Sequence, residues 1–191
     1  MTVPGSNHRS TFPVVLERYR LGVMEILSGS ELRWHMVSVL PNREMQVASK
    51  LASKGFEVFL PTYQSKRQWS DRVKIIKTPL FPSYVFCRYA VKDRIAIVRT
   101  PGVVSNAGAV GPPVQLSDSD VERMRQLVVS GYALEPAARL TVGQRARLGS
   151  RLAGIDGVLA ESGGDCCVVV NFDPLESAIR VTVPRELVIM E

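Results

Sequence analysis

The sequence predicts an α+β domain followed by a small β-barrel, and three observations carry that prediction. Hydrophobic spacing between residues 33 and 130 alternates between strand and helix periods. Beyond residue 138 the texture changes to short β-rich pieces parted by Gly, Asp and Pro. The charge balance also reverses: residues 33–100 carry 13 Lys and Arg against 4 Asp and Glu, whereas residues 135–191 carry 6 against 8. A chain of 191 residues with 46% apolar side chains suits two small folded domains joined by a linker. The net charge of +6 sits in the front half, which points to a polyanionic partner for the first domain and a different task for the second.

Each element follows from local pattern. Residues 1–12 are small, polar and unpatterned, as in a mobile tail, and residues 13–28 suit a short amphipathic helix weakened at Gly22. From Arg33, RWHMVSVL alternates as a strand until Pro41-Asn42 breaks it. Met45, Val47, Ala48, Leu51 and Ala52 then recur at helical spacing, with Gly55 placed to stop the helix. FEVFLPTY reads as a strand ended by Pro61, QSKRQWSDRVKIIKTP as a charged hairpin, and LFPSYVFCRY as a buried central strand. KDRIAIVRT suits a second short helix, PGVVSNAG a turn and strand, and SDSDVERMRQLVVS a closing helix with a Ser/Asp cap and acidic first turn. SGYALEPAA has linker composition. QRARL, GVLAES, CCVVVNF, IRVTVP and LVIM supply five strands for the barrel.

Catalysis finds little support. His8 lies in the tail and His35 within a strand, and no Ser or Cys has a recognisable base partner. Cys87, Cys166 and Cys167 are odd in number and lack CxxC spacing, which argues against a disulfide scaffold or a zinc site. No Lys-Ser/Thr follows the glycines near 154–164, so no P-loop is present. Without an apolar run of about 18 residues or a signal-peptide pattern, the chain reads as cytoplasmic, with no membrane contact and no cofactor.

Three ordered segments carry a family resemblance. They are Trp34 with Glu44; Pro61 with Pro79-Leu80-Phe81-Pro82-Ser83-Tyr84-Val85-Phe86 and Pro101-Gly102-Val103; and Val142-Gly143 with Ala153-Gly154-Ile155-Asp156-Gly157-Val158. Together they resemble the NusG family. That resemblance implies an N-terminal extension (1–32), a NusG N-terminal α/β sandwich with an antiparallel sheet (33–130), a linker (131–138) and an SH3-like KOW barrel (139–191). It also implies a monomeric transcription elongation or antitermination factor. Ser83 stands where the family usually has Gly, which favours a specialised paralogue similar to RfaH, LoaP or UpxY.

In the family, the region of Phe81, Pro82, Tyr84 and Phe86 docks on the clamp helices of RNA polymerase. The region of Asp93, Arg94 and Ile95 meets an opposing polymerase loop. Large rings crowd this run more densely than one strand face can bury, so some ring surface is expected to be exposed or under a partner. Phe81 and Tyr84 are the expected anchors, with Val85 and Phe86 nearer the core. Arg43, Lys66, Arg67, Arg72, Lys74 and Lys77, interleaved with Trp69, suit phosphate contact and base stacking, and the equivalent family surface faces upstream or non-template DNA. In the second domain, Gly154 and Gly157 are expected to flank a tight turn. Apolar patches near Ile155, Phe172 and Ile179 would meet a ribosomal protein or the Rho factor. The β-favouring run CCVVVN predicts a stable barrel rather than a helical hairpin. An RNA-binding or ribosome-associated KOW protein is the alternative reading, although the acidic second domain argues against it. A small enzyme built on the cysteines is weaker still.

Overall fold

A computed structural model describes residues 30–68, 73–104 and 113–190. The expected tail at 1–12 and helix at 13–28 lie outside the described residues. Alternating side chains in the first strand set the architecture of the N-terminal domain. β1 (Arg33–Ser38) sends Trp34 and Met36 to one face and His35 and Val37 to the other. β5 (Tyr84–Tyr89) pairs with it antiparallel, Phe86 opposite Met36 and Cys87 opposite His35, so the same two faces continue across the sheet. β2 (Glu57–Phe59) and β6 (Gln115–Leu116) complete a four-stranded sheet in the order β2-β5-β1-β6. The central placement of β5 follows from its near-continuous burial.

One face is covered by α1 (Glu44–Ser53) through Val47 and Leu51, and by α2 (Arg94–Val98) through Ile97. Helical spacing puts Val47 and Leu51, four residues apart, on one stripe. The opposite face is covered by α3 (Asp118–Val129), which buries Val121, Met124 and Leu127. A capping box starts α3: the Ser117 hydroxyl accepts the Asp120 N–H at 3.0 Å, and the Asp120 carboxylate accepts the Ser117 N–H at 3.4 Å. Burial alone would raise the Asp120 pKa, but the Ser117 hydroxyl and the Arg123 guanidinium outweigh it and hold this carboxyl below its ordinary value. β3 (Thr62–Gln68) and β4 (Val73–Pro79) form the expected separate hairpin. The strand expected after Gly102 contributes a single bridge, Val103 to Val39, before the chain leaves the described residues.

All five expected C-terminal strands are present: β8 (Gln144–Leu148), β9 (Ile155–Glu161), β10 (Asp165–Phe172), β11 (Ser177–Pro184) and β12 (Val188–Met190). A sixth comes from the segment expected to be a linker. Residues Ala133–Ala137 form β7, paired antiparallel with β11 from Ala133 opposite Thr182 to Ala137 opposite Ala178. Its linker-like composition, including Pro136, is tolerated because β7 is an edge strand, where a missing N–H leaves no ladder bond broken on the outer side. The resulting antiparallel sheet runs β12-β8-β9-β10-β11-β7.

Candidate functional site

The aromatic turn before β5 is built by the backbone. Leu80 donates its N–H to the Pro61 carbonyl at 2.9 Å, and Tyr84 donates to the Phe81 carbonyl at 3.3 Å, folding residues 81–84 into a turn. Ser83 sits there at φ 64°, in the left-handed region that non-glycine residues rarely occupy. Its N–H donates to a carboxylate oxygen of the buried Glu44 at 2.8 Å, so the first residue of α1 holds the turn. Pro82 is exposed and Tyr84 half-buried.

Phe81 departs from expectation, and Phe86, placed in the docking region by the resemblance, takes the core position that its strand pattern suggested. Phe86 is fully buried, stacked 6.3 Å from Phe59 and edge-on at 5.6 Å to Phe81, which makes it core support rather than contact surface. Phe81 is only 3% exposed because the C-terminal sheet covers it. The Phe172 ring at the end of β10 meets it edge-to-face at 6.0 Å and 89°. Ring surface that one domain cannot bury is therefore under a partner, and that partner is the chain's own second half. The expected apolar patch at Ile155, Phe172 and Ile179 is likewise not on the surface, since all three are buried. β-strand alternation sends them inward with Val168, Val170 and Val181 into one cluster continuous with Trp34, Phe81 and α3.

Sequence reading missed the side chain that spans this contact. Arg123 of α3 places its guanidinium 5.2 Å from the Phe172 ring centre while pairing with Asp120 one turn earlier. Its field also reaches Asp156, whose carboxyl is held below the usual range first by a 2.7 Å hydrogen bond from Arg147. No local signal marks Arg123, because its position three residues after Asp120 looks like an ordinary helix-surface pair.

Asp93, Arg94 and Ile95 fall on a 3₁₀ turn (Val91–Asp93) leading into α2, as expected. Ile95 is 64% exposed and Val98 39%, and Arg94 and Arg99 flank them in an open groove. This patch lies on the α1/α2 layer, whereas Phe81 lies on the α3 layer. The sheet separates the two candidate contacts.

Among the basic residues, Arg43 is exposed beside α1 and Lys74 and Lys77 are exposed on β4. Three residues apart on one strand, Lys74 and Lys77 project from opposite faces of the hairpin. Backbone register places Lys66 opposite Ile75 and Arg67 opposite Lys74. Trp69 and Arg72 lie outside the described residues. Gly154 is in a turn at φ 86°, but Gly157 lies within β9, where a Cβ would fall 2.6 Å from a Val168 methyl and 2.8 Å from the Val169 carbonyl oxygen. Its role is close strand approach rather than the turn itself. Burial pushes the Cys87 thiol up to about 12, so it holds no thiolate near neutral pH. No described helix is long and apolar enough to cross a membrane.

Residues 32–125, which contain the aromatic turn, the hairpin and α2, match the family model described as "Transcription termination factor nusG". Through this region the chain belongs to the NusG family. NusG proteins are transcription factors rather than enzymes. A solved structure reported as "Domain interaction in Thermotoga maritima NusG" is similar in fold, with a TM-score of 0.56 at 18% identity over 83% of this chain and 96% of that one. The "MjSpt4:Spt5 complex conformation A" also aligns, over 83% of this chain and 97% of that one, but with 13% identity and a TM-score of 0.26. No curated protein sequence matches the chain.

Proposed function

We propose that this NusG-family chain is a transcription elongation or antitermination factor that docks on RNA polymerase through the turn at Phe81, Pro82 and Tyr84. The observation that carries the reading is the turn itself, a strained, Glu44-anchored loop in the family-matched region with Pro82 exposed and Tyr84 half-buried beside the Phe81 ring. Exposed Ile95 and Val98, on the opposite layer of the same sheet, supply a second contact to a polymerase loop across the nucleic-acid channel. A protein gripping both sides favours the closed polymerase by differential binding and prolongs elongation without catalysis. Lys74 and Lys77 on the hairpin, with Arg43 nearby in sequence to the turn's anchor Glu44, suit upstream or non-template DNA.

Residues 33–130 form the polymerase-binding domain in this reading. Residues 139–191 form an SH3-like KOW barrel for a further partner such as a ribosomal protein or Rho. Ser83 at a position suited to Gly supports a specialised paralogue over the housekeeping factor.

Pull-down of core RNA polymerase by the wild type and by Phe81→Ala/Tyr84→Ala tests the reading, with circular dichroism to verify folding. Wild-type binding that the folded double variant loses is the expected result. Failure of the wild type to retain polymerase under any salt condition would overturn it.

A further inference from the structure

The α2 helix has only 5 residues, and a helix of that length has no stability of its own in water. Its surroundings fix it instead. Ile97 is inserted into the core beneath α1, and carbonyls at its C-terminal end are met by side chains from α1. Lys54, which caps the end of α1, donates its ammonium to the Ala96 carbonyl at 3.0 Å and to the Thr100 hydroxyl at 2.7 Å. That hydroxyl donates in turn to the same Ala96 carbonyl at 3.0 Å, so the three groups close a ring. Lys50, one turn earlier, donates to the Pro101 carbonyl at 3.4 Å. Cations placed here also suit the negative end of the helix dipole. Ala96 stands between Ile95 and Val98, so the gripped carbonyl lies inside the exposed apolar patch.

Both candidate contacts are therefore tied to α1. Glu44 at its start holds the Ser83 turn, and Lys54 just past its end holds α2. The 10 residues of α1 put these two anchors about 15 Å apart.

We propose that Lys54 is a positioning residue for the second polymerase contact, acting through Ala96 and Thr100 to hold Ile95 and Val98 at a fixed spacing from the Pro82/Tyr84 turn. The inference rests on the two-contact polymerase reading above and adds the residue that sets its geometry. Two linked contacts outdo either alone only when both engage together, so a displaced α2 loses the second contact without touching the first.

The experiment uses the full chain in five forms: wild type, Lys54→Met, Thr100→Val, Ile95→Ser/Val98→Ser, and that pair combined with Lys54→Met. Equilibrium titration of core RNA polymerase reads affinity, circular dichroism verifies folding, and amide hydrogen exchange reads residues 94–103 without polymerase. Lys54→Met and Thr100→Val should each weaken binding by about 3- to 10-fold, the range of one net hydrogen bond. Each should also speed exchange in α2 and the turn after it while β1 and β5 stay protected. Thr100 is buried, so its effect cannot come from touching polymerase. In the Ile95→Ser/Val98→Ser background, itself weakened, Lys54→Met should lose no further affinity, because a positioning residue acts only through what it positions.

An equal loss in both backgrounds would mean that Lys54 touches polymerase or supports the whole fold, which overturns the proposal and leaves the polymerase reading intact. Unchanged affinity of Lys54→Met alone, or of Ile95→Ser/Val98→Ser, overturns it as well. If no form binds polymerase, the polymerase reading itself fails and the positioning role falls with it.

Discussion

Glu44 and Ser83 lie 39 positions apart, and the 2.8 Å hydrogen bond from the Ser83 N–H to the Glu44 carboxylate ties the start of α1 to the aromatic turn. Glu44 is 6% exposed and the serine sits at φ 64°. Two costs, burying an acid and straining a serine, are thus carried at one point, and the product is a turn whose outward residues are Pro82 and Tyr84.

Two substitutions should separate those costs. Ser83→Gly relieves the left-handed strain while keeping the N–H, and should raise unfolding free energy by about 0.5–1 kcal/mol. Glu44→Ala leaves the Ser83 N–H without its acceptor and should lower stability by about 1–3 kcal/mol. Urea denaturation of both variants checks this. A neutral Glu44→Ala would mean that the turn is held by the chain on either side of it.

Acid should weaken the N-terminal domain through His35. Burial lowers its pKa from the ordinary 6.5 to about 4, only partly offset by the Arg33 carbonyl, and the Arg33 and Arg94 charges push the same way as burial. The unfolded chain therefore binds the proton first. Stability contributed by neutral His35 is complete above about pH 6.5, declines as pH falls, and is lost by about pH 4. The 2.5-unit gap corresponds to about 3 kcal/mol. Urea midpoints between pH 7 and 4 should fall steadily for the wild type and more gently for His35→Leu, and parallel pH slopes would rule the histidine out.

Gly157→Ala should destabilise the C-terminal sheet by about 1–3 kcal/mol, because the added methyl meets a Val168 methyl at 2.6 Å and the Val169 carbonyl oxygen at 2.8 Å. Gly154→Ala has open space but a φ of 86°, and should cost about 1 kcal/mol through backbone strain alone. Thermal unfolding distinguishes them. A larger loss at Gly154 would reverse the argument.

Lys74 and Lys77 offer a salt test of the hairpin. If each meets a phosphate of single-stranded DNA, the Lys74→Gln/Lys77→Gln variant should lower the slope of log affinity against log salt by about 0.7 per residue. Fluorescence anisotropy across a salt series reads it directly. An unchanged slope would assign the lysines to keeping the hairpin edges unpaired.

Most of the fold was legible because hydrophobic periodicity and caps are local signals. Spacing of Val47 and Leu51, the Ser117/Asp120 cap and the alternation of CCVVVNF each lie within a few residues of sequence, and each appears as expected. The contact region was legible as an aromatic-rich run, but burial was not. Phe81, Ile155, Phe172 and Ile179 are expected near partner surfaces and are core. β7 was invisible for the same reason. A five-residue edge strand containing Pro136 has almost no intrinsic strand preference, and its pairing with β11 supplies what the residues lack.

By itself, then, the sequence determined the order of strands and helices, the charge asymmetry and the aromatic-rich run, since composition and short-range spacing control these. Only the tertiary structure decided that Glu44 anchors Ser83, that the two candidate contacts sit on opposite layers, and that Phe172 lies on Phe81. The first of these joins residues 39 positions apart through a buried hydrogen bond and the last joins residues 91 positions apart through shared apolar area, and no local pattern brings either pair together.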